Sequence, residues 1–216
     1  MLSTPVIQNL HEQFPEAQID FLVDEFASDV VTGNPWITEV ICFNKERDSS
    51  VDTVLRVRKR RYDLVIDLFS NPRSAIISAL SGARIRVGYP FRWRKYAYNI
   101  LVPPRGGEVH NVEFNLDALR RLEIPVHHSR PLFPLNERAT QFAAEWIGAS
   151  QLDGKMVVGL NPSGGWYTKR WGLDHYAKLG DMIAEKYHAA IVLLWGPGEE
   201  DDVRSIQRMM KSSSWL

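Results

Sequence analysis

Short apolar runs alternate with amphipathic segments along nearly all of this 216-residue chain, and that alternation constrains its fold more than any other feature. The runs are Gln18–Val23, Glu39–Phe43, Asp63–Leu68, Arg84–Gly88, Met156–Leu160 and Ala190–Trp195. Between them lie segments with helical spacing: Ser50–Arg61 with Val51, Val54, Leu55 and Arg58, Arg73–Leu80, Val109–Leu122 with Val112, Leu116 and Leu119, Leu173–Tyr187, and Glu200–Met210. Strands this apolar bury both faces, and interleaved helices supply the cover. The expected fold class is therefore α/β with parallel sheets.

The order of elements predicts two domains. Ser3-Thr4-Pro5 opens a helix striped by Val6, Ile7, Leu10 and Phe14, and a strand comes after it. Helix before strand is the order met in the middle of an alternating fold, so a further strand and loop are expected upstream. Ile124–Pro134 holds three prolines and two adjacent histidines, the composition of a connector. Asn136–Trp146 then reads as a helix. The predicted boundary gives domains 1–150 and 151–216, both Rossmann-like. The first lacks its opening strand and the second stops after two strands, with the tail Lys211–Leu216 outside them.

Lys plus Arg and Asp plus Glu both total 26, so no global field draws the chain to nucleic acid, and no nucleic-acid partner is expected. The lone Cys42 sits in an apolar run and is expected as a small buried hydrophobe. No apolar run reaches the length of a membrane span, and the N-terminus does not read as a secretory signal. A cytoplasmic location is the expectation. His110, His127 and His128 do not form a metal-ligand spacing, and no metal site is predicted.

Met156–Trp171 is the segment that points to chemistry. A short apolar strand ends in a loop of Pro162, Ser163, Gly164 and Gly165, which delivers Thr168, Lys169 and Arg170 just before a helix. Such a loop lets backbone N–H groups approach an anion, the helix N-terminus adds partial positive charge, and the lysine supplies a full one. The spacing is neither a Walker A nor a G-x-G-x-x-G pattern. The same residues also serve an ordinary strand-to-helix turn. Asn71 and Arg73 come after the carboxyl end of another strand, where open α/β sheets place ligands. Arg84, Arg86, Arg92, Arg94, Lys95 and Arg105 interleave with aromatic residues and form a basic-aromatic segment. An alternative reading makes the chain a non-catalytic protein that holds an anionic polymer there.

Four segments in order resemble glycosyltransferase family 9, the ADP-heptose:lipopolysaccharide heptosyltransferases. They are Leu2-Ser-Thr-Pro5 with its helix, Tyr62–Leu68 with Asn71-Pro-Arg-Ser74, Ser81–Arg84 with Arg86-Val-Gly-Tyr89, and Gly159–Gly164 with Thr168-Lys-Arg-Trp171. The resemblance implies a GT-B architecture, with a sugar acceptor on the first domain and a nucleotide sugar on the second. It implies inverting transfer of heptose from ADP-heptose to the lipopolysaccharide inner core, without a metal or other cofactor, at the cytoplasmic face of the inner membrane with peripheral contact to it. Ser163, Gly164, Gly165, Thr168 and Lys169 would hold the donor phosphates, Glu199 and Glu200 the donor sugar or ribose, and Asn71 and Arg73 the acceptor. The family's general-base Asp falls before residue 1, so no catalytic residue is assigned within the chain. A later nucleotide-binding segment of the family has no counterpart either, and a piece of a longer enzyme is the expectation.

Overall fold

Asn136 caps a helix that packs with the C-terminal strands, and the chain divides there into two units, residues 1–135 and 136–216. The computed structural model describes residues 1–44, 46–105, 109–164 and 166–216. In the first unit α1 (Thr4–Gln13), β1 (Asp20–Asp24), β2 (Glu39–Phe43), α2 (Ser50–Arg60), β3 (Leu64–Ile66), α3 (Pro72–Leu80), β4 (Ile85–Gly88), β5 (Ile100–Leu101) and α4 (Asn111–Arg121) succeed one another. In the second come α5 (Glu137–Ala149), β6 (Val157–Leu160), α6 (Leu173–Tyr187), β7 (Ala190–Leu193), α7 (Glu200–Met209) and β8 (Ser214–Trp215).

Every strand pair is parallel, as the fully apolar runs require. β1 pairs with β2, Asp20 opposite Glu39 and Asp24 opposite Phe43. β3, β4 and β5 form a second sheet with Leu64 opposite Ile85 and Val87 opposite Ile100. In the other unit β7 lies between β6 and β8, with Ile191 opposite both Val158 and Ser214. The α/β class expected from the sequence is borne out.

Local chemistry fixes the helix starts. Ser49 accepts from the Val51 N–H, and Asn136 from the Ala139 N–H at 2.7 Å. Asn71 and Ser74 form a reciprocal capping box at α3, with Pro72 in the first turn. Val6, Val112, Leu116, Leu119 and Ile124 close a core between α1 and α4. Leu160, Ala177, Ile191, Leu193, Val203 and Ile206 build the core of the second unit.

Four expectations are corrected. The buried face of α2 is Val54 and Val57 against Ile77, while Val51 and Leu55 face solvent, because the helix packs on α3 rather than across the sheet. Cys42 is exposed, since alternation along β2 buries its neighbours Ile41 and Phe43 instead. The division falls at 135/136 rather than 150, because Trp146 and Ile147 of α5 pack on Leu152, Ala190 and Val192. The tail is not outside the fold: Ser214–Trp215 adds a third strand to the second sheet, and Trp215 joins that same cluster.

Candidate functional site

The loops after β6 and β7 leave the same edge of the second sheet. The Leu194 N–H donates to the Leu160 carbonyl at 2.8 Å, which carries the pairing one residue past the end of β7. Gly159 permits this closeness, since a Cβ there would stand 3.1 Å from Leu194 Cδ1. The first loop reaches a short 3₁₀ turn, Tyr167–Lys169, and then α6. Gly172, in extended conformation, precedes α6 without a capping side chain. A Cβ at Gly172 would lie 2.8 Å from Asp174 Oδ1 and from His175 Nδ1.

Of the residues predicted to hold phosphate, Thr168 and Lys169 are exposed and Ser163 and Gly164 half-buried; Gly165 lies outside the described residues. Ser163 Oγ is buried without a hydrogen-bond partner among the described residues. A hydroxyl left so is costly unless something occupies it. The backbone N–H of Lys169 donates to the Trp166 carbonyl at 2.9 Å, and its ammonium has no carboxylate within ion-pair distance among the described residues.

Arg170, next in sequence, behaves differently. Its Nε donates to the Gly164 carbonyl at 2.7 Å and its Nη1 reaches Asp202 Oδ2 at 3.3 Å. The guanidinium thereby ties the β6–α6 loop to the first turn of α7. Trp171 stacks on His175 at 4.9 Å and meets Tyr176 edge-on at 5.3 Å, which anchors the loop's far end. The arrangement is a loop braced at both ends, with Lys169 unneutralised among the described residues beside a helix start that lacks a capping side chain. Such a place favours an anion.

Glu199 and Glu200 stand at the neighbouring loop, each with an intramolecular role. Glu199 Oε2 accepts from the Gly196 N–H at 2.9 Å and closes the turn before α7. Glu200 Oε1 accepts from both Nε and Nη2 of Arg204, at 2.8 and 2.6 Å. No sequence signal marks Arg170 and Asp202 as a pair. Asp202 is one of three acids in a first helical turn, which is ordinary dipole chemistry.

Asn71 and Arg73 lie in the first unit, at the carboxyl end of β3. The Asn71 side-chain oxygen accepts from the Ser74 N–H at 2.7 Å, so its local duty is capping. The Arg73 guanidinium rests on the Phe43 ring at 4.7 Å and lines a cavity beside β3. Buried Asp67 holds that loop: Oδ1 accepts from the Ser70 N–H at 2.7 Å and Oδ2 from the Tyr98 hydroxyl at 2.7 Å.

Much of the basic-aromatic segment is spent on internal contacts. Arg86 donates to the carbonyls of Ala83 and Ala97, Arg94 covers Phe91, and Arg105 pairs with buried Asp117 at 2.5 Å. Among the described residues no group of three His, Cys, Asp or Glu side chains is placed to hold a metal, and no helix is long and apolar enough to cross a membrane.

Comparison with known proteins gives a consistent result. The family model "Glycosyltransferase family 9 (heptosyltransferase)" matches residues 53–214. Lipopolysaccharide heptosyltransferase 3 of Escherichia coli (strain K12) is 26% identical over 214 residues, covering 93% of this chain. The chain spans 61% of that relative's length. The crystal structure of the glycosyl transferase family 9 from Veillonella parvula DSM 2008 superposes with a TM-score of 0.87 at 21% identity, over 99% of this chain and 64% of that one. E. coli heptosyltransferase WaaC with ADP gives a TM-score of 0.72 at 17% identity, over 100% of this chain and 69% of that one.

Proposed function

The chain belongs to glycosyltransferase family 9, and from that premise we propose that its β6–α6 loop grips the diphosphate of a nucleotide sugar, ADP-heptose, in an enzyme that builds the lipopolysaccharide inner core. The observation that carries this reading is Lys169: a solvent-facing cation without a carboxylate partner among the described residues, just ahead of an uncapped helix. Relatives supply the chemical class, since one is a lipopolysaccharide heptosyltransferase and another was solved with ADP.

In the proposed reaction an acceptor hydroxyl attacks the anomeric carbon of the donor from the face opposite the diphosphate. The new glycosidic C–O bond forms as the bond to the diphosphate breaks, and the configuration inverts. The bonding pair leaves with ADP, and the hydroxyl proton passes to a carboxylate base. Lys169, Thr168, Ser163 and the backbone N–H of Gly164 meet the charge that grows on the departing diphosphate. Donors preorganised in this way stabilise the transition state more than the ground state. Glu199 and Glu200 serve this reading by shaping the neighbouring loop, with the donor sugar or ribose within their scope. Asn71 and Arg73 are assigned to the acceptor, where a guanidinium suits an anionic sugar. The reaction is placed in the cytoplasm, at the inner-membrane surface that displays the acceptor.

Titration calorimetry of the 216-residue chain with ADP tests the assignment. Lys169→Ala should weaken binding about 10- to 100-fold, the range of one or two charge-assisted hydrogen bonds. Equal affinity in the two proteins would remove the loop from the donor site.

A further inference from the structure

Residues 68–107 carry seven cations and not one acid, in a chain whose cations and acids balance at 26 each. Several of the seven are held internally: Arg86 by two carbonyls, Arg105 by Asp117 and Arg73 on the Phe43 ring. Arg92 and Lys95 are exposed, and neither has a carboxylate within ion-pair distance among the described residues. Both belong to one 3₁₀ turn between β4 and β5, Arg92–Ala97.

In a 3₁₀ helix residues three apart eclipse one another, so this turn has three faces of two residues each. Arg94 and Ala97 form the inward face, and Ala97 is buried in a cluster with Ala75 of α3. Arg92 and Lys95 form a cationic face. The third face is aromatic, with Trp93 56% exposed and Tyr96 80% exposed. Lys95 Nζ lies 5.2 Å from the centre of the Tyr96 ring, so charge and ring are presented together. Neither Trp93 nor Tyr96 belongs to the core clusters around it, and two large rings left in water gain free energy when a partner covers them.

The turn is held in place. Arg92 has φ 49°, a left-handed conformation that costs free energy in a residue with a side chain. The Phe91 N–H donates to the Tyr89 carbonyl at 2.8 Å, and Arg86 Nε to the Ala97 carbonyl at 3.0 Å, which ties both ends. The same segment is bonded to the loop that carries Asn71 and Arg73. The Tyr89 N–H donates to Ser70 Oγ at 3.1 Å, and the Tyr98 hydroxyl to Asp67 Oδ2 at 2.7 Å. A surface gripped by the turn is thereby held in a fixed relation to that loop.

Trp and Tyr beside Lys and Arg suit the boundary of an anionic bilayer. The ring bodies reach acyl carbon, their polar tips stay among headgroups, and the cations meet lipid phosphates. A single-stranded nucleic acid instead needs cations and rings spaced along a groove, whereas here both crowd into one short turn. We propose that the turn Arg92–Ala97 docks the first unit on an anionic lipid surface, with Trp93 and Tyr96 entering the interfacial layer and Arg92 and Lys95 meeting its phosphates. The proposal rests on the reading that the acceptor is displayed at a membrane, and it names the surface that brings the Asn71 and Arg73 loop to it.

The test uses the 216-residue chain and vesicles of phosphatidylglycerol and phosphatidylcholine in equal parts, with phosphatidylcholine alone as reference. Cosedimentation should show binding to the mixed vesicles that weakens with added salt. Arg92→Ala with Lys95→Ala should weaken it about 25-fold, at about fivefold per cation near such a surface. Trp93→Ser with Tyr96→Ser should weaken it about tenfold or more. Lys155→Ala with Lys186→Ala, which removes equal charge from the second unit, should change it little. Brominated lipid should quench part of the tryptophan fluorescence, and Trp93→Phe should abolish that part. Failure to bind the mixed vesicles, or affinity unchanged in both turn variants, would overturn the proposal. Binding lost only in the cation variant, without quenching, would also overturn it, because charge alone would then hold the protein. So would binding of oligouridine that both turn variants lose, in a protein that ignores vesicles. ADP calorimetry on the turn variants should match the parent chain, so failure of the donor-loop reading and failure of docking are seen separately.

Discussion

The Arg170 Nε donates to the Gly164 carbonyl at 2.7 Å, while the same guanidinium pairs with Asp202 at 3.3 Å. The two contacts make Arg170 a brace between the β6–α6 loop and α7, where Lys169 beside it is free to meet an anion. Of these adjacent cations, Arg170 is held by the loop and by α7, and Lys169 has no carboxylate partner among the described residues. Arg170→Ala should weaken ADP binding about tenfold, close to the value of one charge-assisted hydrogen bond. Arg170→Lys should recover little of it, since an ammonium lacks the planar fork that reaches both partners. Calorimetry with ADP checks this, and an unchanged affinity in Arg170→Ala would separate the brace from the binding site. Asp202→Asn, which keeps shape and removes charge, should show a smaller loss than Arg170→Ala.

Gly88 has a steric reason to be glycine. A Cβ on it would stand 2.5 Å from ring atoms of Tyr98, a buried residue that must keep its hydroxyl on Asp67. The neighbour is a buried ring tethered through its hydroxyl, so it has little room to give. Gly88→Ala should cost about 1–3 kcal/mol, the usual penalty of overpacking a core. Denaturant unfolding measures it, and Gly88→Ala combined with Tyr98→Leu should recover part of the loss by making room.

Asp181 of α6 accepts the backbone N–H groups of Lys211 and Ser212, at 3.0 and 2.8 Å, and so holds the segment that leads into β8. Burial raises its pKa, but the backbone donors of Ser212 and Lys211 outweigh that and leave it lowered. A lowered carboxyl pKa adds stability above its unfolded value of about 3.9, lost as pH falls through the folded value. Asp181→Ala should therefore loosen Ser214–Trp215 at neutral pH, and its effect should fade under acid conditions. Exchange of the β8 amides as a function of pH reads both halves of the statement.

The alternation of apolar runs revealed the class of fold because period and length are properties of local sequence. Strands β1, β2, β3, β4, β6 and β7 each coincide with one such run. β5 and β8 are only two residues long and pair solely because a neighbouring edge is present, so no pattern within them announces a strand. The glycine in Arg86-Val-Gly-Tyr89 stands out as a motif letter, but its cause, the Tyr98 ring, lies ten residues away and is visible only in the fold. Lys169 is legible because a lysine ahead of a helix is unusual electrostatically. Arg170 stands out beside it for the same reason, but its bracing role does not, since that depends on a carboxylate 32 positions on. Cys42 misleads because composition gives the polarity of a run but not which residues alternate outward.

Alkaline pH should unfold the first unit through three tyrosines. Tyr62 donates to Asp20 at 2.5 Å, Tyr89 to the Phe114 carbonyl at 2.6 Å and Tyr98 to Asp67 at 2.7 Å. Burial is the largest cause raising the pKa of each phenol, with nearby carboxylates adding to it: Asp20 for Tyr62, Asp117 and Asp67 for Tyr89, and Asp67 for Tyr98. Each hydroxyl is thus needed as a donor, and a phenolate would leave its partner facing like charge or an unmet acceptor. The unfolded phenol ionises near pH 10, so each tyrosine's contribution is complete below that pH and is lost as pH rises toward the higher folded value. Above about pH 10 the stability of the first unit should fall by about 1.4 kcal/mol per pH unit for each tyrosine that waits for unfolding to ionise. Absorbance at 295 nm and far-UV circular dichroism, recorded together, should show three of the seven tyrosines ionising in the same step in which helix is lost. Tyr98→Phe should reduce that step by one tyrosine and make the pH dependence shallower, while leaving Asp67 without one donor and the protein less stable at neutral pH. Ionisation of all seven before any loss of helix would show that these hydroxyls do not hold the fold.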